Sequence, residues 1–154
     1  MMSLCCDVIS RLRGKTLATA ESLTGGGIGN ALTGVCGSSA VYKGGIISYT
    51  NEIKETVLGV PADVLTRYGA VSRWTAGYMA SGARRVLQAD IAVSVTGLAG
   101  PTGDEFGNPV GTVFIGYEDA RQSSVHHYVF SGDREAVRNQ TIEQTLKLIL
   151  KYNP

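Results

Sequence analysis

Thr16-Leu17-Ala18-Thr19-Ala20-Glu21-Ser22-Leu23-Thr24-Gly25-Gly26-Gly27-Ile28 reads as a short buried strand, a tight turn and the opening of a helix. Thr16 to Ala20 are small or apolar enough to sit inside a sheet, and Ile28 to Leu32 begin a helical pattern. Ser22 therefore falls at a strand-to-helix turn beside three glycines. Such a turn exposes a side chain at the sheet edge and aims free backbone N–H groups at whatever binds there. Ser22 is thus a candidate nucleophile, and its loop a candidate anion site.

Outward from this stretch, strand and helix signals alternate. Met1 to Arg13 has the spacing of an amphipathic helix, with Leu4, Cys5, Val8, Ile9 and Leu12 on one face. Gly25 to Thr33 reads as a helix closed near Gly34, and Tyr42 to Tyr49 as a strand. The Gly44-Gly45 pair inside that strand predicts a bulge or a close backbone approach. Asn51 can cap a helix ending at Gly59, Pro61 opens another through Tyr68, and Ser72 can cap a long one through Gln88. Asp90 to Val95 is an almost purely apolar strand, predicted to be buried on both faces. Pro109 to Tyr117 and Val125 to Phe130 are two further strands, forming a hairpin around Asp119 and Arg121, and Asp133 caps a last helix from Arg134 to Lys151. The pattern predicts one domain over residues 1–154, an α/β fold of three α/β/α layers. The central sheet has about five strands and is mixed, because the last two lack a crossover helix. Ser22 to Gly27 and Thr96 to Pro101 both follow strand ends, so they line one crevice if those strands are neighbours.

Composition narrows the partners. A net charge of +1 with 18% charged and 44% hydrophobic residues gives no reason to expect nucleic acid or an anionic membrane. No run approaches the roughly 18 apolar residues of a spanning helix, and the first residues lack the basic start of a secretory signal. Cys5, Cys6 and Cys36 have neither metal-site nor redox-pair spacing, as expected of free thiols in a reducing cytoplasm. His126 and His127 are adjacent in a strand and point to opposite faces, so they do not chelate a metal together. Asp104 and Glu105 fit a solvated turn. No metal and no cofactor is expected.

The turn after Ser22 matches neither a phosphate loop, since no Gly-Lys-Ser/Thr follows, nor the dinucleotide fingerprint, since Asn30 stands where glycine is required. Tyr49 and Lys54 admit two readings. They can be a core aromatic and a solvated lysine, or Lys54 can lie desolvated beside Ser22 with a lowered pKa, as a base that takes the serine proton while Tyr49 relays or orients it. Arg134 and Arg138 open the last helix, where the dipole mildly disfavours cations; they read either as an ordinary surface pair or as contacts to a ligand such as a phosphate.

Taken together, AESLTGG at Ala20 to Gly26, GSSAVYKGGIISYTNEIK at Gly37 to Lys54, VTGLAGP at Val95 to Pro101 and PVGTV at Pro109 to Val113 resemble the C-terminal domain of the competence/damage-inducible protein CinA. GAVS at Gly69 to Ser72 and SGDREAVR at Ser131 to Arg138 fit as well, and the resemblance runs from Leu4 to Leu150. That family includes bacterial nicotinamide mononucleotide deamidases, and the chain looks like a stand-alone version of the domain. The resemblance implies a cytoplasmic amidohydrolase of NAD salvage that converts nicotinamide mononucleotide to nicotinate mononucleotide and ammonia. It implies Ser22 as nucleophile with Tyr49 and Lys54 as its basic partners, and Thr24, Gly25, Gly26, Thr96, Gly97 and Ala99 as nucleotide-binding positions. The family's arginine falls on Arg134, with Arg138 the alternative. One departure is Leu23, where many relatives carry cysteine. The chemistry is coherent with an activated pyridinium carboxamide. Amides near Ser22 and Gly25 would hold the oxyanion, and the phosphate would sit on a helix N-terminus. The alternative is a nucleotide-binding or interaction module that keeps the pocket without turnover. Oligomeric state, a homo-oligomer included, is left open.

Overall fold

The computed structural model describes residues 1–154. Its elements are α1 (Met2–Arg11), β1 (Leu17–Glu21), α2 (Gly27–Thr33), β2 (Tyr42–Ile47), α3 (Asn51–Thr56), α4 (Ala62–Tyr68), α5 (Arg73–Leu87), β3 (Ile91–Gly97), β4 (Thr112–Glu118), β5 (Ser123–Val129) and α6 (Arg134–Tyr152), with a 3-10 turn at Ser38–Ala40. One five-stranded sheet has the order β2-β1-β3-β4-β5. β1 pairs parallel with β2 and β3, while β3–β4 and β4–β5 are antiparallel, so the sheet is mixed as expected.

Every residue of β1 is buried, as is β3 up to Thr96, because these central strands are covered on both faces. On one face α1, α2 and α6 close a core built around Leu12, Leu17, Ile28, Val93, Ile115 and Ile149. The α1 positions Cys5, Val8, Ile9 and Leu12 are buried there, as their spacing predicts. On the other face α4 and α5 pack on Ala18, Ala20 and Ala92 through Leu65, Met79 and Ala83. Small side chains dominate that side of the sheet, so α5 can approach closely.

Local signals behave as their chemistry dictates. Ser72 and Asp133 cap α5 and α6 by accepting from Thr75 N and Ala136 N. The α3 cap is Thr50, one residue before the expected Asn51. The Gly44-Gly45 reading holds on both counts. Gly44 has φ 152° beside a register shift, and a Cβ on Gly45 would collide with Thr19 Oγ1 and Tyr42 Oη. β4 and β5 start three residues later and two earlier than the sequence suggests, because the polar Ser123 and Ser124 still make ladder pairs with Glu118 and Tyr117.

Gly82 sets how closely α5 approaches the chain that leaves α3, since a Cβ there would run into the Leu58 backbone. Gly82→Ala is expected to destabilise the fold by about 1–3 kcal/mol, an ordinary overpacking cost. For a domain of this size that is a drop in Tm of about 2–12 °C, checked by thermal unfolding.

Candidate active site

Ser22 is the first residue beyond β1. Its amide donates to Val95 O at 3.1 Å, so the chain leaves the sheet only after the β1–β3 ladder has closed. β2 continues past its last ladder residue, and Ser48 N donates to Glu21 O at 2.8 Å. The chain then turns at Tyr49 and enters α3 through the Thr50 cap, which returns Lys54 toward the sheet.

Lys54 Nζ lies 3.0 Å from Ser22 Oγ, 2.7 Å from Ser48 O and 3.2 Å from Tyr49 O. The side chain is 1% exposed. Neither of the chain's two side-chain ion pairs, Arg84–Glu118 and Lys147–Glu143, involves it. Burial therefore acts alone and lowers its pKa from 10.5 to about 8. The solvated-surface reading of Lys54 is thus overturned. The three acceptors suit an ammonium. They suit the neutral amine equally, whose two N–H groups stay on the carbonyls while its lone pair faces the serine hydroxyl. A Ser–Lys pair of this kind can generate a serine nucleophile near neutral pH.

A cavity of about 390 Å³ opens on this pair. Its wall contains Ser22, Tyr49, Lys54, Thr96, Gly97, Ala99 and Arg134, all candidates from the sequence, with Leu23, Ala70, Val71, Leu98, Gly100, Pro101 and Thr102. Thr24, Gly25 and Gly26 do not line it. Thr24 is buried behind the turn, Gly25 faces Arg138, and Gly26 packs on Ile47. Tyr49 is not a core aromatic. It is 59% exposed, and its phenol accepts from Arg134 Nη2 at 3.2 Å rather than reaching Ser22 or Lys54. Its contact with the pair is through its main-chain carbonyl. Arg134 also donates to Gly100 O at 2.8 Å, bridging the two rims of the cavity. Arg138 turns away and holds the serine loop by donating to Leu23 O at 2.9 Å.

The backbone donors differ from expectation. Ser22 N and Gly25 N are spent on Val95 O and Ser22 O. The first amides of α2 are not open to an anion either, since Ile28 N and Gly29 N donate to the Glu21 carboxylate at 2.9 and 3.0 Å. Leu23, Ala99 and Gly100 line the cavity, and their amides make no hydrogen bond within the chain.

The profile of the CinA C-terminal domain matches residues 3–153. The chain belongs to the CinA C-terminal domain family. It is 49% identical over 131 residues to a CinA-like protein of Geobacter sulfurreducens, covering 85% of this chain and 32% of that protein. The chain thus spans about a third of the length of the curated relatives it matches. Among solved structures, the competence damage-inducible protein A of Klebsiella pneumoniae superposes with a TM-score of 0.95 at 36% identity, over 97% of this chain and 94% of that one. The competence/damage inducible protein of Agrobacterium tumefaciens gives 0.92 at 39% identity, over 99% and 95%.

Two parts of this CinA domain's site escape sequence reasoning. One is Glu21, which lies inside the AESLTGG motif and ends an apolar strand but carries no sign of its partners. The other is Ser48, which acts through its carbonyl and so carries no side-chain signal; its buried hydroxyl has no hydrogen-bond partner.

If Lys54 activates Ser22, sulfonylation of Ser22 by phenylmethanesulfonyl fluoride is expected to accelerate as pH rises and to level off above about 8. Lys54→Met is expected to abolish that pH-dependent rise, with labelling followed by intact-protein mass spectrometry.

Proposed function

We propose that this CinA domain is a serine amidohydrolase that deamidates nicotinamide mononucleotide. The observation that carries the reading is the buried Lys54 amine 3.0 Å from Ser22 Oγ at the foot of a cavity. The cavity lies in the size range of small-molecule sites. Its apolar wall of Leu23, Ala70, Val71 and Leu98 suits a flat ring, and Arg134 supplies a cation at the mouth that no carboxylate neutralises.

Ser22 Oγ attacks the carboxamide carbon while its proton passes to neutral Lys54 Nζ. The pyridinium ring withdraws electrons from that carbonyl, and the Leu23 amide, uncommitted within the chain and adjacent to Ser22, is the donor we assign to the oxyanion. Collapse of the tetrahedral adduct breaks the C–N bond. The departing nitrogen takes the proton held by Lys54 and leaves as ammonia. Water then adds to the acyl-serine, again losing a proton to Lys54, and the carboxylate product leaves with Ser22 restored. The phosphate is read by Arg134 with the free Ala99 and Gly100 amides, because the first amides of α2 beside Ser22 are taken by the Glu21 carboxylate. Tyr49 serves at the rim, where its phenol orients Arg134.

Ammonia release from nicotinamide mononucleotide tests the reading. Ser22→Ala is expected to abolish turnover while sparing binding. Lys54→Arg should be as damaging as Lys54→Ala, because arginine cannot lose its proton in a protein. The wild-type kcat is expected to climb with pH through about 8, since the base acts only when unprotonated. Binding of the mononucleotide without turnover would establish the non-catalytic module instead.

Arg134 reads the phosphate if it separates two substrates with the same amide. Nicotinamide riboside is expected to be poor on the wild type, and Arg134→Ala should lower kcat/KM for the mononucleotide by about 10- to 100-fold, the scale of a lost charge-assisted contact. It should leave the riboside nearly unchanged. Equal slowing of both substrates would remove Arg134 from the phosphate site.

A further inference from the structure

Glu21 is the one buried carboxylate of the chain, 1% exposed, and no cation pairs with it. A charge in that position is tolerated only if its lone pairs are met. They are met by four donors. Oε1 accepts from Thr24 Oγ1 at 2.6 Å and Ile28 N at 2.9 Å, and Oε2 from Gly29 N at 3.0 Å and Thr19 Oγ1 at 3.3 Å. Two of these donors are the orphan amides at the start of α2, whose own N-cap is Gly26 and offers no side chain. The strand therefore caps the helix that follows it, across the turn that carries Ser22.

That turn has little else to fix it. Gly25 and Gly26 take φ of 58° and 98°, and glycine loses more backbone freedom on ordering than any other residue. Apart from Arg138 on the Leu23 and Thr24 carbonyls, the side-chain brace across Ser22 is the Glu21 carboxylate. The main chain of the same residue holds the other half of the site, because Glu21 O accepts from Ser48 N, and Ser48 O accepts from Lys54 Nζ.

We propose that Glu21 is the positioning residue of the nucleophile: its buried carboxylate ties the end of β1 to Thr24 and the first amides of α2, and so keeps Ser22 Oγ against Lys54. The proposal rests on Ser22 being the nucleophile. It does not need any one substrate. Glu21 touches neither the cavity nor the reacting atoms, so its removal should alter attack and leave the ligand's contacts in place.

Glu21→Gln keeps the size of the side chain but turns one of its acceptors into a donor facing an N–H group. Kinetics with nicotinamide mononucleotide are expected to show kcat lowered about 100-fold, the scale of a misplacement of about 1 Å. KM should stay within about threefold, since Glu21 does not line the cavity. Thr24→Val removes a single donor and should lower kcat about tenfold, also at constant KM. A purely structural role would lower Tm while leaving kcat per folded molecule unchanged, and that result overturns the proposal. If Glu21→Gln fails to fold, Thr24→Val decides: wild-type kcat in this variant sinks the idea. Labelling of Ser22 by phenylmethanesulfonyl fluoride separates the two claims. A wild type that is labelled but does not deamidate the mononucleotide refutes the substrate, and the labelling rate of Glu21→Gln, expected about 100-fold below wild type, still tests the positioning. Equal labelling of both proteins refutes it. A wild type that resists labelling and shows no deamidation refutes the nucleophile and the positioning together.

Discussion

The site is organised by the burial of one amine. Lys54 Nζ sits out of contact with water, with no carboxylate to balance it, and its polar neighbours are one hydroxyl and two carbonyls. Removing an ammonium from water without a counter-charge is costly, and the group responds by holding its proton less tightly. That response is what a base working near neutral pH requires. The surrounding chain supplies the acceptors from three places: the end of β1, the continuation of β2 and the bend before α3. Displacing any of them would change both the hydrogen bonding of the amine and its separation from Ser22.

Strand order brings those places together. The β1-to-β2 connection carries α2 on one face of the sheet, and the β2-to-β3 connection carries α3, α4 and α5 on the other. The connections leaving β1 and β2 therefore part toward opposite faces, and a crevice opens at the carboxyl ends of β1, β2 and β3. The Ser22 turn forms one side of it and the Thr96 to Thr102 loop the other. Arg134, from the first turn of α6, reaches over both and touches Gly100 and Tyr49.

Under the proposed reaction, anion recognition and nucleophile placement would use different parts of this crevice. The glycine turn beside Ser22 has the form of a helix-start anion site, yet its amides are already met by Glu21. An external phosphate there would have to displace a carboxylate that is part of the fold. On the opposite loop the Ala99 and Gly100 amides are uncommitted, beside the unneutralised Arg134, whereas on the Ser22 side the Leu23 amide is left for the reacting group. In the proposed reaction the nucleophile and the anion-reading groups would stand on opposite walls, and the substrate would bridge them.

The sequence alone determined the alternation of strands and helices, the mixed sheet, the capping roles of Ser72 and Asp133, and the candidate set of Ser22, Lys54, the Thr96 to Pro101 loop and Arg134. These rest on local rules of periodicity, capping and turn chemistry, together with motifs that keep their order and spacing along the chain. Only the tertiary structure decided which candidates meet. Lysine at a helical position is ordinarily solvated, and nothing near Lys54 in the chain announces that it is buried; the packing of α3 against the ends of β1 and β2 does that. Tyr49 keeps its carbonyl at the amine but sends its phenol to the rim, a choice made by the direction of the chain between β2 and α3. Thr24, Gly25 and Gly26 belong to the motif yet stand behind the cavity, because their partners are Glu21, Arg138 and Ile47. Local sequence encodes which groups the backbone must satisfy, whereas the burial of a charge and the direction of a side chain depend on residues far away along the chain.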